Sequence, residues 1–233
     1  MELGERNGMF IVGHTLVWHS QTPAWVFQDA AGRPASRDTL LGRMRDHIHT
    51  VVGRYRGRID GWDVVNEALN EDGTLRDSPW RRIIGDDYIA HAFRFAHEAD
   101  PQAELYYNDY SLANPRKRDG AVRLVRQLQA EGVRITGIGP QDHHQMDWPS
   151  PALVDSMLTA FAATGLKVHV TELDIDVLPR ATRGADVGTG GQAGTGPNPY
   201  TAGLPDSLQQ ALAQRYAEIF QVYMKHRDVL DRV

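Results

Sequence analysis

Two periodicities alternate along the chain. Short runs of β-branched and aromatic residues, which read as buried strands, end abruptly in amides, imidazoles or carboxylates. Between them apolar residues recur at helical spacing. The first run, Met9 to Trp18, is broken by Gly13 and His14 and leads into His19-Ser20-Gln21 and a Thr22-Pro23 turn. Ser36 is placed to cap a helix with the stripe Leu40, Leu41, Met44, Ile48, Val51, Val52 and Tyr55, which Gly57 stops. Ile59 to Glu67 is the next strand, and Tyr88, Ile89, Ala92, Phe93, Ala96 and Ala99 mark the helix beyond the following loop. A strand over Glu104 to Asp109 precedes a helix bearing Val122, Val125 and Leu128. Ile135 to about Gln141 is again a strand, followed by a helix with Ser150 as cap, Pro151 at its first position and the stripe Leu153, Val154, Met157, Leu158, Phe161 up to Gly165. The strand Leu166 to Asp174 comes next. After a glycine-rich stretch, a helix from about Ser207 to His226 turns Leu208, Leu212, Tyr216, Ile219, Phe220 and Tyr223 inward, and Asp231 to Val233 approaches a further strand.

Five strands, each followed by a helix, fit either an open doubly wound sheet or part of an eight-stranded α/β barrel. The polar residues favour the barrel. A nucleotide-binding sheet carries a glycine-rich phosphate loop directly between strand and helix, whereas every strand exit here holds side chains able to converge on a barrel mouth. Glu67 and Glu172 stand at two of those exits, each at the end of an apolar body, and two carboxylates delivered this way suit acid/base and nucleophilic work. A closed barrel takes about 250 residues, so the chain is expected to begin and end within one. It is read as a single partial-barrel domain over residues 1–233.

Composition narrows the partners. With 41% hydrophobic and 24% charged residues in 233, the chain is one globular unit. A net charge of −5 with scattered Lys and Arg speaks against nucleic acid as a partner. No apolar run approaches the ~20 residues of a membrane span, so no membrane partner is expected. The chain has no cysteine, which removes disulfides and thiolate chemistry, and its first residues lack the layout of a signal peptide. The stretch from about 180 to 204 holds seven glycines and reads as a flexible loop. Within it, Gly188-Thr189-Gly190-Gly191-Gln192-Ala193 matches a dinucleotide fingerprint in letters but lacks the adjacent strand and helix. His19, His143 and His144, with Glu172 and Asp174, have no zinc-like helical spacing, and neither metal nor cofactor is expected.

Four segments together carry a resemblance: Gly13-His14-Thr15-Leu16-Val17-Trp18-His19-Ser20-Gln21, Trp62-Asp63-Val64-Val65-Asn66-Glu67-Ala68-Leu69, Gly137-Ile138-Gly139-Pro140-Gln141-Asp142-His143-His144 and Val170-Thr171-Glu172-Leu173-Asp174. In this order they resemble glycoside hydrolase family 10, the endo-1,4-β-xylanases, and Asp176 to Arg180, Asn198-Pro199-Tyr200 and Gly203-Leu204-Pro205 resemble its bacterial branch. The resemblance implies a (β/α)8 barrel that hydrolyses xylan with retention of configuration. It covers strands three to seven, and strands one, two and eight have no counterpart in the chain.

Carried over residue by residue, the resemblance makes Glu67 the acid/base and Glu172 the nucleophile. It implies that Asn66 binds the sugar 2-hydroxyl, that His143 hydrogen-bonds the nucleophile with Asp174 behind it, and that Gln141 belongs to the same site. His14, Trp18 and Gln21 resemble the sugar-binding edge of the third strand, and Asn108 and Tyr110 that of the fifth; Trp18 equally suits core packing. Asp63 is expected to brace the site rather than react. Xylan or xylo-oligosaccharides are the implied partners, and secretion or a periplasmic location is what the family implies. A rival stays open, in which so partial a barrel is a catalytically impaired remnant that at most binds polysaccharide.

Overall fold

The computed structural model of the chain describes residues 1–178 and 198–233. Most of the glycine-rich stretch, with the Gly188 to Ala193 run, lies outside them. A short helix α1 (Glu2–Arg6) precedes β1 (Val12–Trp18), a 3-10 turn (Ala24–Phe27), α2 (Arg37–Arg54) and β2 (Gly61–Asn66). Then come α3 (Pro79–Ile84), α4 (Tyr88–Ala99), β3 (Glu104–Asp109), α5 (Pro115–Ala130), β4 (Gly137–Pro140), β5 (His143–Gln145) and α6 (Pro151–Ala162). The chain closes with β6 (Lys167–His169), β7 (Asp174–Asp176), α7 (Asp206–Lys225) and β8 (Leu230–Arg232).

Helix starts follow the capping residues. The Ser36 hydroxyl accepts from Thr39 N at 3.2 Å, and the Ser150 hydroxyl accepts from Leu153 N at 3.3 Å with Pro151 in the first turn. The same logic opens α3 at Ser78-Pro79 and α5 at Asn114-Pro115. The stripes of α2, α4 and α6 are buried as their spacing requires: Leu40, Ile48, Phe93, Val154 and Phe161 expose none of their surface. Each such side chain contributes roughly 1.5–3 kcal/mol of transfer free energy. Among the described residues no helix is long and apolar enough to cross a membrane.

Six strands pair in parallel in the order β1-β2-β3-β4-β6-β8. The order never reverses, so the sheet has no topological switch point and is not doubly wound. All six residues of β2 are buried. The interior is packed by interlocking sizes. Tyr106 on β3 is wholly buried because Gly61 and Gly137 leave room for its ring; an added Cβ would lie 2.7 Å and 2.9 Å from it. β1 and β8 are the two edges of this sheet.

Four expectations change. The first strand starts at Val12, and Met9 is 57% exposed beyond Gly8, whose φ is +60°. The expected strand Leu166 to Asp174 divides: β6 stays in the main sheet while β7 joins β5 in a separate pair, with His143 opposite Asp174. Between them the backbone is irregular yet tethered, since Thr171 N and Glu172 N donate to Pro140 O and Gln141 O at 3.1 and 3.2 Å. A further strand, β8, is already present and pairs with β6 through Val168 and Leu230, so the last residues supply a start to the strand expected to be missing. On α7, Phe220 is 43% exposed, and Arg215 is buried in the stripe with Ile219 and Tyr223.

Candidate active site

Parallel pairing aligns the strand ends. Trp18 on β1 is opposite Asn66 on β2, Asn66 opposite Asn108 on β3, and Asn108 opposite Gly139 on β4. One row of residues, three side chains and a glycine, thus crosses four strands at their C-terminal edge, where parallel α/β folds place reactive groups. Gly139 is required there: a Cβ would come within 2.6 Å of Asn108 Oδ1.

The row is wired by amides. Asn108 Nδ2 donates to Asn66 Oδ1 and to Glu172 Oε1, both at 3.0 Å. Gln141 Nε2 donates to Asn66 Oδ1 at 3.1 Å and to Glu67 Oε1 at 3.2 Å. Asn66 Oδ1 therefore accepts twice, and its amide nitrogen is left as the donor, which serves Glu67. Trp18 Nε1 donates to Glu67 Oε2 at 2.9 Å, so this indole serves the carboxyl directly, and Trp80 Nε1 holds the Trp18 carbonyl at 2.9 Å. Across the row, His143 Nε2 is 3.2 Å from Glu172 Oε2 and His143 Nδ1 is 3.1 Å from Asp174 Oδ1. At the other end, His14 Nδ1 lies 2.9 Å from buried Asp63 Oδ2.

The two glutamates titrate in opposite directions. Burial pushes the Glu67 carboxyl above the usual range, and the hydrogen bonds from Trp18, Gln141 and Asn66 only partly offset it. Burial also acts on Glu172, but His143 and Asn108 outweigh it and hold that carboxyl below the usual range. His143 is raised by its bond to Glu172, and His14 by its bond to Asp63. Asp63 itself is raised, chiefly by burial. A carboxyl with a raised pKa and one with a lowered pKa are thus linked through Gln141, Asn66 and Asn108.

Ten of the residues singled out from sequence meet in this arrangement: His14, Trp18, Asp63, Asn66, Glu67, Asn108, Gln141, His143, Glu172 and Asp174. Gln21 stands apart, exposed after β1 on a left-handed backbone (φ 56°), beside a cavity of about 610 Å3 that Trp18, Trp25 and Trp80 also line. Tyr110 is turned to other partners: it is 8% exposed, its hydroxyl accepts from Arg76 at 2.9 Å, and Lys117 Nζ sits 3.4 Å above its ring. Sequence reasoning passed over Thr171, whose hydroxyl donates to Asn108 Oδ1 at 2.8 Å. It also passed over Asp109, paired with wholly buried Lys117 at 2.9 Å. Asp109 follows Asn108 at a strand exit, which was a usable signal; Lys117, inside a polar helical stretch, offered none. Among the described residues no group of three or more His, Asp or Glu is arranged to hold a metal ion.

Comparison with known proteins gives the chain's relatives. The model of "Glycosyl hydrolase family 10" matches residues 1–233. Endo-1,4-beta-xylanase A of Xylanibacter ruminicola is 44% identical over all of this chain and 64% of its own length. An endo-1,4-beta-xylanase of Geobacillus stearothermophilus is 43% identical over 95% of this chain and 63% of its own length. Among solved structures, an endoxylanase from a sugarcane soil metagenome superposes with a TM-score of 0.91 at 46% identity, covering all of this chain and 66% of that one. Xylanase XynB from Paenibacillus barcinonensis, complexed with a conduramine derivative, gives 0.87 at 39% identity with the same coverage. These neighbours are (β/α)8 barrels, and the chain spans less than two thirds of the length of the relatives it matches.

Proposed function

The chain belongs to glycosyl hydrolase family 10, and we propose that it carries the two catalytic carboxyls of an endo-1,4-β-xylanase acting with retention of configuration. The single observation that carries the reading is the opposite perturbation of Glu67 and Glu172 inside one amide network. Retaining hydrolysis needs one carboxyl that holds a proton for the leaving oxygen and one that stays ionised to attack the anomeric carbon. Burial suits Glu67 to the first task. His143, backed by Asp174, suits Glu172 to the second, and Asn108 fixes its other oxygen.

In the first step a Glu172 oxygen bonds to the anomeric carbon as the glycosidic C–O bond breaks, and the Glu67 proton passes to the departing oxygen. In the second, ionised Glu67 takes a proton from water, whose oxygen displaces Glu172 and restores both groups. In this reading Asn66, beside Glu67, supplies a hydrogen bond to the sugar 2-hydroxyl that strengthens as the ring becomes oxocarbenium-like. His14 and Trp18 on β1, and Gln21 on the loop after it, offer further sugar contacts in this reading. Xylan or xylo-oligosaccharides are the substrates of this reading, in keeping with the activity for which the relatives are named.

Proton NMR of the first products from xylan tests it: β-anomers appear first under retention, and first-formed α-anomers contradict it. A second reading, an impaired remnant that at most binds polysaccharide, is favoured by one observation. β1 and β8 lack a second neighbour among the described residues, so the sheet stands open at both edges. Assaying this chain on xylan beside the same chain lengthened by its flanking coding sequence separates the two. Turnover confined to the longer chain supports the remnant reading for these 233 residues, and equal turnover removes it.

A further inference from the structure

Glu67 occupies a backbone conformation that a side chain disfavours. Its φ is 56°, in the left-handed region, which a non-glycine residue keeps only where its surroundings enforce it. The enforcing contacts are local. Glu67 N donates to Asn108 O at 2.9 Å, and Arg76, on the loop before α3, gathers the carbonyls that follow. Arg76 Nε donates to Glu67 O at 3.0 Å, its backbone N to Ala68 O at 2.7 Å, and its terminal nitrogen to Leu69 O at 3.3 Å and the Tyr110 hydroxyl at 2.9 Å. Buried Asp109 holds Leu69 N at 3.4 Å from the other side.

The guanidinium thus bonds the carbonyl of Glu67 rather than its carboxylate. An ion pair with the carboxylate would favour the ionised form and drain the proton an acid must hold. We propose that Arg76 is a positioning residue that fixes the left-handed turn at Glu67, and through it the direction in which the carboxyl presents its proton. Arg76 itself touches no substrate. This rests on the reading of Glu67 as the acid.

The test uses Arg76→Met and Arg76→Lys in the full-length protein, assayed on xylan and on xylobiosides of dinitrophenol, whose departure needs no proton. Arg76→Met is expected to lose about ten- to a hundredfold in kcat/KM on xylan, the scale of a misplaced catalytic group, and less than about threefold on the dinitrophenyl substrate. Arg76→Lys keeps one charged donor and recovers part of the loss. If the Met variant fails to fold, the Lys variant is read against the same two substrates. An equal loss on both, or no loss on xylan, overturns the proposal. Glu67→Ala, run in parallel, must show the same dependence on leaving group; if it loses equally on both substrates, the acid assignment has failed, a result distinct from any failure of Arg76.

Discussion

Glu67 leaves a fully buried strand with 3% of its surface exposed, on a strained turn clamped from several sides. Glu172 sits on irregular backbone between two short strands, and its side chain is 35% exposed. Both carry the same carboxyl, and Asn66 Oδ1 joins the Gln141 that serves the first to the Asn108 that serves the second. The first is desolvated with only neutral donors, so its pKa is raised; the second faces an imidazole that favours its charge, so its pKa is lowered. Side-chain chemistry alone does not assign acid or nucleophile, and the surroundings do.

The sharpest break in this contrast comes from Glu172→Gln, which removes the attacking oxyanion. Hydrolysis of both xylan and the dinitrophenyl xylobioside is expected to fall about 10⁴-fold or more, and undiminished turnover of either contradicts the nucleophile assignment. Glu67→Ala should cost about 10²–10⁴-fold in kcat/KM on xylan and little on the activated substrate, since only the first needs a proton.

The pH profile carries the same asymmetry. For kcat/KM on xylan, activity requires Glu172 ionised and Glu67 protonated. The acidic limb therefore reports the lowered Glu172 pKa and the alkaline limb the raised Glu67 pKa. On the dinitrophenyl substrate the alkaline limb due to Glu67 should vanish. His143→Ala removes the group that favours ionised Glu172, so the acidic limb should move to higher pH; an unmoved limb would mean that His143 does not set that pKa. Smallest of all, Trp18→Phe deletes a donor to ionised Glu67. The alkaline limb should rise further and the rate should lose less than about tenfold, and a downward move would show that the indole acts in some other way.

The strand and helix rhythm was legible because burial on both faces leaves continuous apolar runs, and Ser36 and Ser150 announce their helices by capping chemistry. The glutamates stood out as carboxylates at the end of such runs. What hid was whatever depends on partners distant in sequence. The run Leu166 to Asp174 looks unbroken because apolar residues continue on both sides of Glu172, yet tethers to Pro140 and Gln141 bend it out of the sheet. On α7, Ile219 and Phe220 are neighbours about 100° apart around the helix, and the spacing does not say which one the core takes. Arg215 is not one of the apolar residues that mark the stripe, yet it donates to the carbonyls of Gln145 and Pro149 and is buried by doing so. Lys117 is buried for a similar reason, its charge matched by Asp109.

The assignment of Glu172 as nucleophile is tested most directly by trapping. A dinitrophenyl xylobioside with fluorine in place of the reacting sugar's 2-hydroxyl slows both steps by destabilising the oxocarbenium-like transition state, while its leaving group keeps the first step feasible, so a covalent intermediate accumulates. Intact-mass analysis should show one fluoro-xylobiosyl group added per chain, with release of one equivalent of dinitrophenolate, and peptide mapping should place the label on Glu172. A label on Glu67 or another residue, or unlabelled protein that still hydrolyses xylan, would contradict it.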